Sequence, residues 1–285
     1  MHEAEYYTQR GEGRVQCGLC PRTCVLGEGE SGQCRARVNT GGRMRLPFYG
    51  FLSSIAVDPI EKKPLREFLP GSQTFSVGFW HCTMHCPYCQ NWEIAQPLGI
   101  QGKILDIDAL ISMAEASGTP SISFTYSEPC LHIEYVKLAM EAARKRGIRT
   151  VLVTNGNILP GPARDILELT DATNVDLKCF SSKTYHNILG GELETVENFI
   201  RIAHSLCHTE VTSLLVPGIF DEPGQMEAVS TFLASVSRDI PLHITSYHPA
   251  FRWNRPSLSA ATTEATAAPA FAKLDKVYLS APSPR

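Results

Sequence analysis

Residues 74–89 read TFSVGFWHCTMHCPYC, an apolar β-rich run that breaks directly into three closely spaced cysteines. Alternating Phe, Val and Trp predict a strand over 74–80. Cys82, Cys86 and Cys89 then form C-x3-C-x2-C in the loop that follows, a spacing that lets three thiolates converge on one small object. Three is the informative number. A structural zinc takes four protein ligands and a plain [4Fe-4S] ferredoxin takes four cysteines, so three ligands leave one coordination position open.

Working outward, the pattern of this strand repeats. Strand candidates stand at 121–127 (SISFTYS), 149–155 (RTVLVTN), 172–178 (ATNVDLK), 210–217 (EVTSLLVP) and 242–248 (LHITSYH). Between them lie segments such as LHIEYVKLAMEAARKRG and LETVENFIRIAHSLC, whose apolar residues recur every three to four positions, as amphipathic helices require. Six βα units predict an α/β protein with a partial (β/α)6 TIM-like barrel, because a full eight-stranded barrel uses about 250 residues by itself. Such barrels put their chemistry at the carboxyl ends of the strands, and the cysteine loop sits at one of those ends.

Residues 1–45 differ: they are rich in Gly, Cys and Arg and show no long apolar period. A bound metal would cross-link them. Residues 46–73 read as a strand or hairpin with turns, joining this element to the barrel. The expected domains are therefore a cysteine-rich element with its connector at 1–70 and the barrel at 71–285. The Ala- and Thr-rich stretch near the end predicts one helix and a last strand, and the tail APSPR at 281–285 is expected to fray.

Composition narrows the function classes. The chain has 285 residues, 29 acidic against 26 Lys and Arg, and 43% hydrophobic content. The near-neutral charge argues against a nucleic-acid-coating protein, which needs a concentrated basic face. No apolar run reaches the length of a membrane span. The opening MHEAEYYTQRGEG has no basic-then-apolar leader pattern, so a cytoplasmic location is expected. In that compartment thiols stay free for metal or redox chemistry.

With Tyr88 before its last cysteine, the C-x3-C-x2-C loop resembles the signature of the radical S-adenosylmethionine (SAM) superfamily. The resemblance implies a [4Fe-4S] cluster held by Cys82, Cys86 and Cys89, with SAM on the fourth iron. Reductive cleavage of SAM then yields a 5'-deoxyadenosyl radical that abstracts hydrogen. The later strand ends carry further matches. Thr125-Tyr126-Ser127-Glu128-Pro129 stands where the superfamily places a carboxylate for the SAM amino group, which implies that role for Glu128. Val153-Thr154-Asn155-Gly156 and Asp176-Leu177-Lys178 resemble elements of the glycyl-radical-enzyme activases, represented by the pyruvate formate-lyase activating enzyme.

By that likeness Thr154, Asn155 and Asp176 contact SAM or a monovalent cation beside it, and Lys178 contacts cofactor or substrate. Val153 stands where those activases carry an acidic residue. Val216, in Leu215-Val216-Pro217-Gly218, would lie against adenine, and His248, in Ser246-Tyr247-His248-Pro249, would face substrate. Cys130 and Cys179 read as small buried apolar residues.

Longer stretches, CGLCPRTC, CPYCQNWEIAQ, TYSEP, NVDLK and SYHPAFR, resemble the radical SAM member of the AmmeMemoRadiSam system. Implied partners are a flavodoxin or ferredoxin-type electron donor and a protein or peptide substrate, with neither nucleic acid nor membrane. Cys17, Cys20, Cys24 and Cys34 form a second metal-site candidate. Zinc would staple the small element, and a second Fe-S cluster would supply an electron route; the staple argument favours zinc. The main functional expectation is hydrogen abstraction from a protein or peptide backbone. The alternatives are radical modification of a small molecule or side chain and, in another class, a metal-binding scaffold.

Overall fold

The computed structural model describes residues 1–280, so the APSPR tail, 281–285, lies outside the described residues. The first barrel strand is Gln73–Phe79, followed in chain order by Ser121–Thr125, Arg149–Thr154, Ala172–Asp176, His208–Leu215 and Leu242–Ser246. Each lies parallel to and beside its predecessor. A seventh parallel strand, Val277–Leu279, continues the series, as the sequence expects after the Ala-rich helix Ala260–Lys273. The sheet ends there without closing, which fits a partial barrel.

Helices Ile107–Ala116, Ile133–Lys145, Pro160–Leu167, Leu193–Leu206 and Pro223–Val236 form the crossovers. Their starts follow local chemistry. Asp106 caps the first by accepting the Ala109 N–H at 2.7 Å, and prolines open two others, where the missing N–H costs nothing. Among the described residues no helix is long and apolar enough to cross a membrane.

The connector contributes a full strand to the main sheet. Phe51–Pro59 runs antiparallel beside Gln73–Phe79, and the short Lys103–Ile104 strand pairs with its outer edge. Two small three-stranded sheets precede it. Val15, Leu19, Leu26, Ala36, Met44 and Leu46 are buried in the same apolar cluster as the barrel strands, so the N-terminal element gains part of its stability from shared hydrophobic burial. A buried ion pair also joins the two: Arg37 Nη2 lies 2.8 Å from Glu134 Oε2 on helix Ile133–Lys145.

The amino end of the barrel is plugged by the connector. Glu210, fully buried near the start of the fifth barrel strand, accepts the backbone N–H groups of Arg66 and Glu67 at 3.1 and 2.9 Å. His208 and His243 meet the same carboxylate. Burial opposes the charge on Glu210, but these four partners outweigh it and hold its pKa down at about 2.

Candidate active site at the carboxyl ends of the strands

The first barrel strand ends at Phe79, and the chain leaves it as an irregular loop before the short helix Trp92–Ala95. This loop is pinned from two sides, with His81 N–H donating to the Ile94 carbonyl at 2.8 Å and His85 N–H to that of Leu189 at 2.7 Å. Cys82, Cys86 and Cys89 consequently line one cavity of about 320 Å³, together with Tyr88, Thr154, Asn155, Asp176 and Lys178. Five barrel strands or the loops after them supply its walls. The size is that of a small-molecule site.

Two N–H groups point at Cys82 Sγ, the Met84 amide and the Asn155 side-chain amide, each at 3.4 Å. Burial raises the pKa of all three thiols, that of Cys86 to about 11, although Lys178 works in the opposite direction on Cys86 and Cys89. In the metal-free chain they are therefore protonated near neutrality, and metal loading must release protons. The Tyr88 hydroxyl, also in the cavity wall, is buried without a partner among the described residues. Three loop thiols, two N–H donors on one sulfur and an unpartnered hydroxyl fit a three-cysteine cluster with a ligand beside it.

The turn after the third barrel strand is built around Gly156, whose φ of +66° is the left-handed region. A Cβ there would stand 3.2 Å from both Phe199 and Val175, so glycine meets a conformational and a steric demand at once. The turn is braced from behind by Glu128. Its carboxylate accepts from Thr154 Oγ1 at 2.6 Å, from Asn155 N–H at 2.9 Å and from Cys130 N–H at 3.1 Å. Desolvation still leaves the Glu128 pKa above the ordinary carboxylate value.

Asp176, at the end of the fourth barrel strand, lies 3.0 Å from Lys178 Nζ. Burial opposes the lysine charge, but the Asp176 carboxylate, chiefly, overcomes it and holds the Lys178 pKa well up.

The structure thus brings Cys82, Cys86, Cys89, Tyr88, Thr154, Asn155, Asp176 and Lys178 to one cavity and does not bring three other candidates to its wall. Glu128 is buried behind the turn, with its carboxylate oxygens taken by the donors above. Val216 is buried in a tight turn closed on Phe220, and Leu214 reaches the wall in its place. His248 lies half-buried beyond the end of the sixth barrel strand.

Residues that sequence reasoning missed include Lys62, Gln90, Asn91 and Gln96 in the wall. Lys62 comes from the connector, where it pairs with Asp58 at 2.8 Å. The adjacent, fully buried Lys63 pairs with the same carboxylate at 2.7 Å and reaches the Tyr126 hydroxyl at 3.1 Å. The only sequence signal was the adjacent pair of lysines, 62 and 63, within a charged stretch of the connector.

Cys17, Cys20, Cys24 and Cys34 line a second, small cavity, with Arg22, Arg37 and Thr83. Among the described residues no three His, Cys, Asp or Glu stand close enough together to hold a single metal ion. Cys130 and Cys179 are fully buried, as small apolar residues would be.

The pattern of the Radical SAM superfamily matches residues 81–227. An uncharacterised protein of Methanocaldococcus jannaschii is 34% identical over 256 residues, which cover 88% of this chain and 76% of that protein. The pyruvate formate-lyase 1-activating enzyme of Escherichia coli is 27% identical over 184 residues, 61% of this chain and 74% of the enzyme. Among solved structures, Streptococcus suis SuiB bound to S-adenosylmethionine superposes with a TM-score of 0.56 at 12% identity, over 73% of this chain and 51% of SuiB. The last is a likeness of fold alone. With the cavity and its cysteine loop, these similarities show that the chain belongs to the radical SAM superfamily and is a radical SAM enzyme. Its family cofactors are a [4Fe-4S] cluster and SAM, and the scaffold alternative is set aside.

Proposed function

We propose that this enzyme abstracts hydrogen from a protein or peptide, in the manner of a glycyl-radical-enzyme activase, and that it is the radical SAM member of an AmmeMemoRadiSam system. The observation that carries the substrate class is the shape of the surface around Cys82. The cavity shares Cys82, Ala95 and Gln96 with a second groove of about 470 Å³ lined by 31–35, His81, His85 and Arg252. Two grooves that meet the same wall residues on either side of the cysteine loop suit an extended chain. The similarity to the Escherichia coli activating enzyme supports the same reading.

When bound, the cluster and SAM supply a 5'-deoxyadenosyl radical for hydrogen abstraction. The chain's own residues would do the rest. Cys82, Cys86 and Cys89 would hold the cluster, and Asn155 Nδ2 and the Met84 amide direct hydrogen bonds at the Cys82 sulfur. Glu128 positions Thr154 and Asn155, while Tyr88, Thr154, Asn155 and Asp176 line the cofactor's side of the cavity. Lys178, held beside Asp176, offers a positive charge to a carboxylate of cofactor or substrate. Thr154 and Asp176 offer oxygens for a monovalent cation, and Val153 offers none. Val216 and His248 stand outside the wall, and Leu214 would offer an apolar surface to the cofactor in place of Val216.

The electron donor would be a flavodoxin or ferredoxin, and the N-terminal cysteines would hold zinc or a second Fe-S cluster. Ten free cysteines suit a reducing, cytoplasmic compartment.

The test uses reduced holoenzyme and SAM, with extract of the host organism grown in deuterated medium and split by size. Deuterium entering 5'-deoxyadenosine from the macromolecular fraction is the expected result. Transfer from the low-mass fraction alone would overturn it in favour of a small-molecule substrate.

A further inference from the structure

The charges that line the two grooves beside the cysteine loop are nearly all of one sign. Arg35 and Arg252 line the larger groove, and Lys62, Lys178 and Asp176 line the active-site cavity. Leaving the histidines aside, four cations face one acid along this path, in a chain whose formal net charge is -3. That one acid is taken, because Asp176 pairs with Lys178 at 3.0 Å.

The other three cations are not neutralised. Asp58 serves two lysines, Lys62 at 2.8 Å and Lys63 at 2.7 Å. Lys63 is fully buried and must keep its counter-ion, so the surplus charge of the trio rests on Lys62, whose side chain is 60% exposed. Arg35 and Arg252 form no salt bridge among the described residues. The Arg252 guanidinium lies over the Phe251 ring at 4.7 Å, which anchors it without cancelling its charge. The acids nearest in sequence, Glu30 and Glu93, stand outside the groove lining, and Glu30 accepts the Gly27 N–H at 2.7 Å. Beside these cations lies a polar atom with nothing to meet. His81 is 4% exposed and lines the larger groove, and its Nε2 is buried without a partner among the described residues; the backbone of a bound chain would complete it.

We propose that the peptide segment on which this enzyme acts is acidic, with carboxylate side chains on both sides of the reacting residue, one side met by Lys62 and the other by Arg35 and Arg252. This deepens the protein-or-peptide reading above and rests on it. A segment laid across the cysteine loop brings its reacting carbon to the cavity, while its flanking carboxylates meet the cations that lack a counter-ion. Charge of this kind selects the partner and speeds encounter more than it adds affinity. Concave grooves that meet at the active site favour a chain segment over the convex face of a folded electron donor.

Binding is read by fluorescence anisotropy of labelled peptides on the anaerobic holoenzyme with SAM. Three peptides share a central glycine-serine stretch and carry glutamates, glutamines or lysines on both sides of it. At low salt the glutamate peptide should bind about tenfold more tightly than the glutamine peptide, and it should lose most of that margin near ~1 M salt, where the screening length is about 3 Å. Lys62→Gln leaves the Lys63–Asp58 pair in place and should narrow the margin. Arg35→Glu with Arg252→Glu should reverse the order of the glutamate and lysine peptides, a gain that misfolding does not produce. No margin in the wild type, or an unchanged order in the double variant, would overturn the proposal, as would equal binding of an oligothymidylate of the same charge.

The hydrogen-transfer assay separates this inference from the reading it rests on. With dithionite as reductant, no donor protein competes for the surface. Excess glutamate peptide should then suppress deuterium transfer from the macromolecular fraction, and the lysine peptide should not. Transfer that neither peptide suppresses would overturn the acidic character while the substrate class stands, and would assign the basic surface to another partner, such as an acidic electron donor. Transfer from the low-mass fraction alone would overturn the class and this inference with it.

Discussion

Thr154 Oγ1 donates to Glu128 Oε1 across 2.6 Å, joining the end of one barrel strand to the loop after its neighbour. With the Asn155 and Cys130 amides on the same carboxylate, this bond fixes the turn that aims Asn155 at Cys82. Glu128→Gln turns one acceptor into a donor that faces other donors. It should destabilise the fold by about 1–3 kcal/mol and weaken SAM binding, while the cluster content stays that of the wild type. Thermal unfolding, iron analysis and calorimetric titration with SAM check the three parts, and wild-type SAM affinity would show that the brace is dispensable.

Raised thiol pKa values make cluster loading a proton-releasing reaction. Cys82, Cys86 and Cys89 all lie above the ordinary thiol value, chiefly through burial. Each must lose its proton to bind iron, so between pH 7 and pH 9 apparent affinity should rise by about tenfold per pH unit for each thiol. Competition against a chelator, measured across that range, reads the slope. A flat profile would mean that the thiols are already ionised.

The legible parts of this molecule were those written in local sequence. The six strands and their helices follow from apolar periodicity, and Cys82, Cys86 and Cys89 fall within eight residues, so spacing alone declared them. Thr154, Asn155, Asp176 and Lys178 were readable because the short motifs that carry them, at or just past strand ends, resemble those of the activases. What escaped was set by distant pairing. Arg37 meets Glu134 97 positions away, and Lys62 reaches the cavity only because the connector folds as a strand against the barrel. Val216, named from the family likeness, stands just past the strand, where the chain bends back on Phe220, and a turn of this kind is not written in the local pattern.

Gly156 tests whether the turn itself matters. At φ +66° a side chain pays roughly 1–2 kcal/mol in backbone strain, and the contacts at 3.2 Å to Phe199 and Val175 add crowding. Gly156→Ala should lower stability by about 2 kcal/mol or more and reduce SAM affinity by moving Thr154 and Asn155. Denaturant unfolding and SAM titration of the anaerobic holoenzyme measure both. A stable variant with normal affinity would show that the turn can relax.

At the opposite end of the barrel, Glu210 ties stability to acid. Its pKa falls from 4.5 in the unfolded chain to about 2 in the fold, held there against burial by His208, His243 and two connector amides. For a depressed carboxylate the stabilisation is fully present above pH 4.5 and is lost as pH falls through 2. The shift corresponds to about 3 kcal/mol for a fully buried group. Glu210→Gln keeps the shape and removes the charge, so unfolding free energy should drop at neutral pH and its slope between pH 4.5 and 2 should become shallower by the share of this one carboxylate. The measurement is a series of urea titrations across that range on wild type and variant. Because the site chemistry lies at the far ends of the strands, SAM cleavage by the folded variant at neutral pH should stay at the wild-type rate, which separates loss of the plug from loss of the active site.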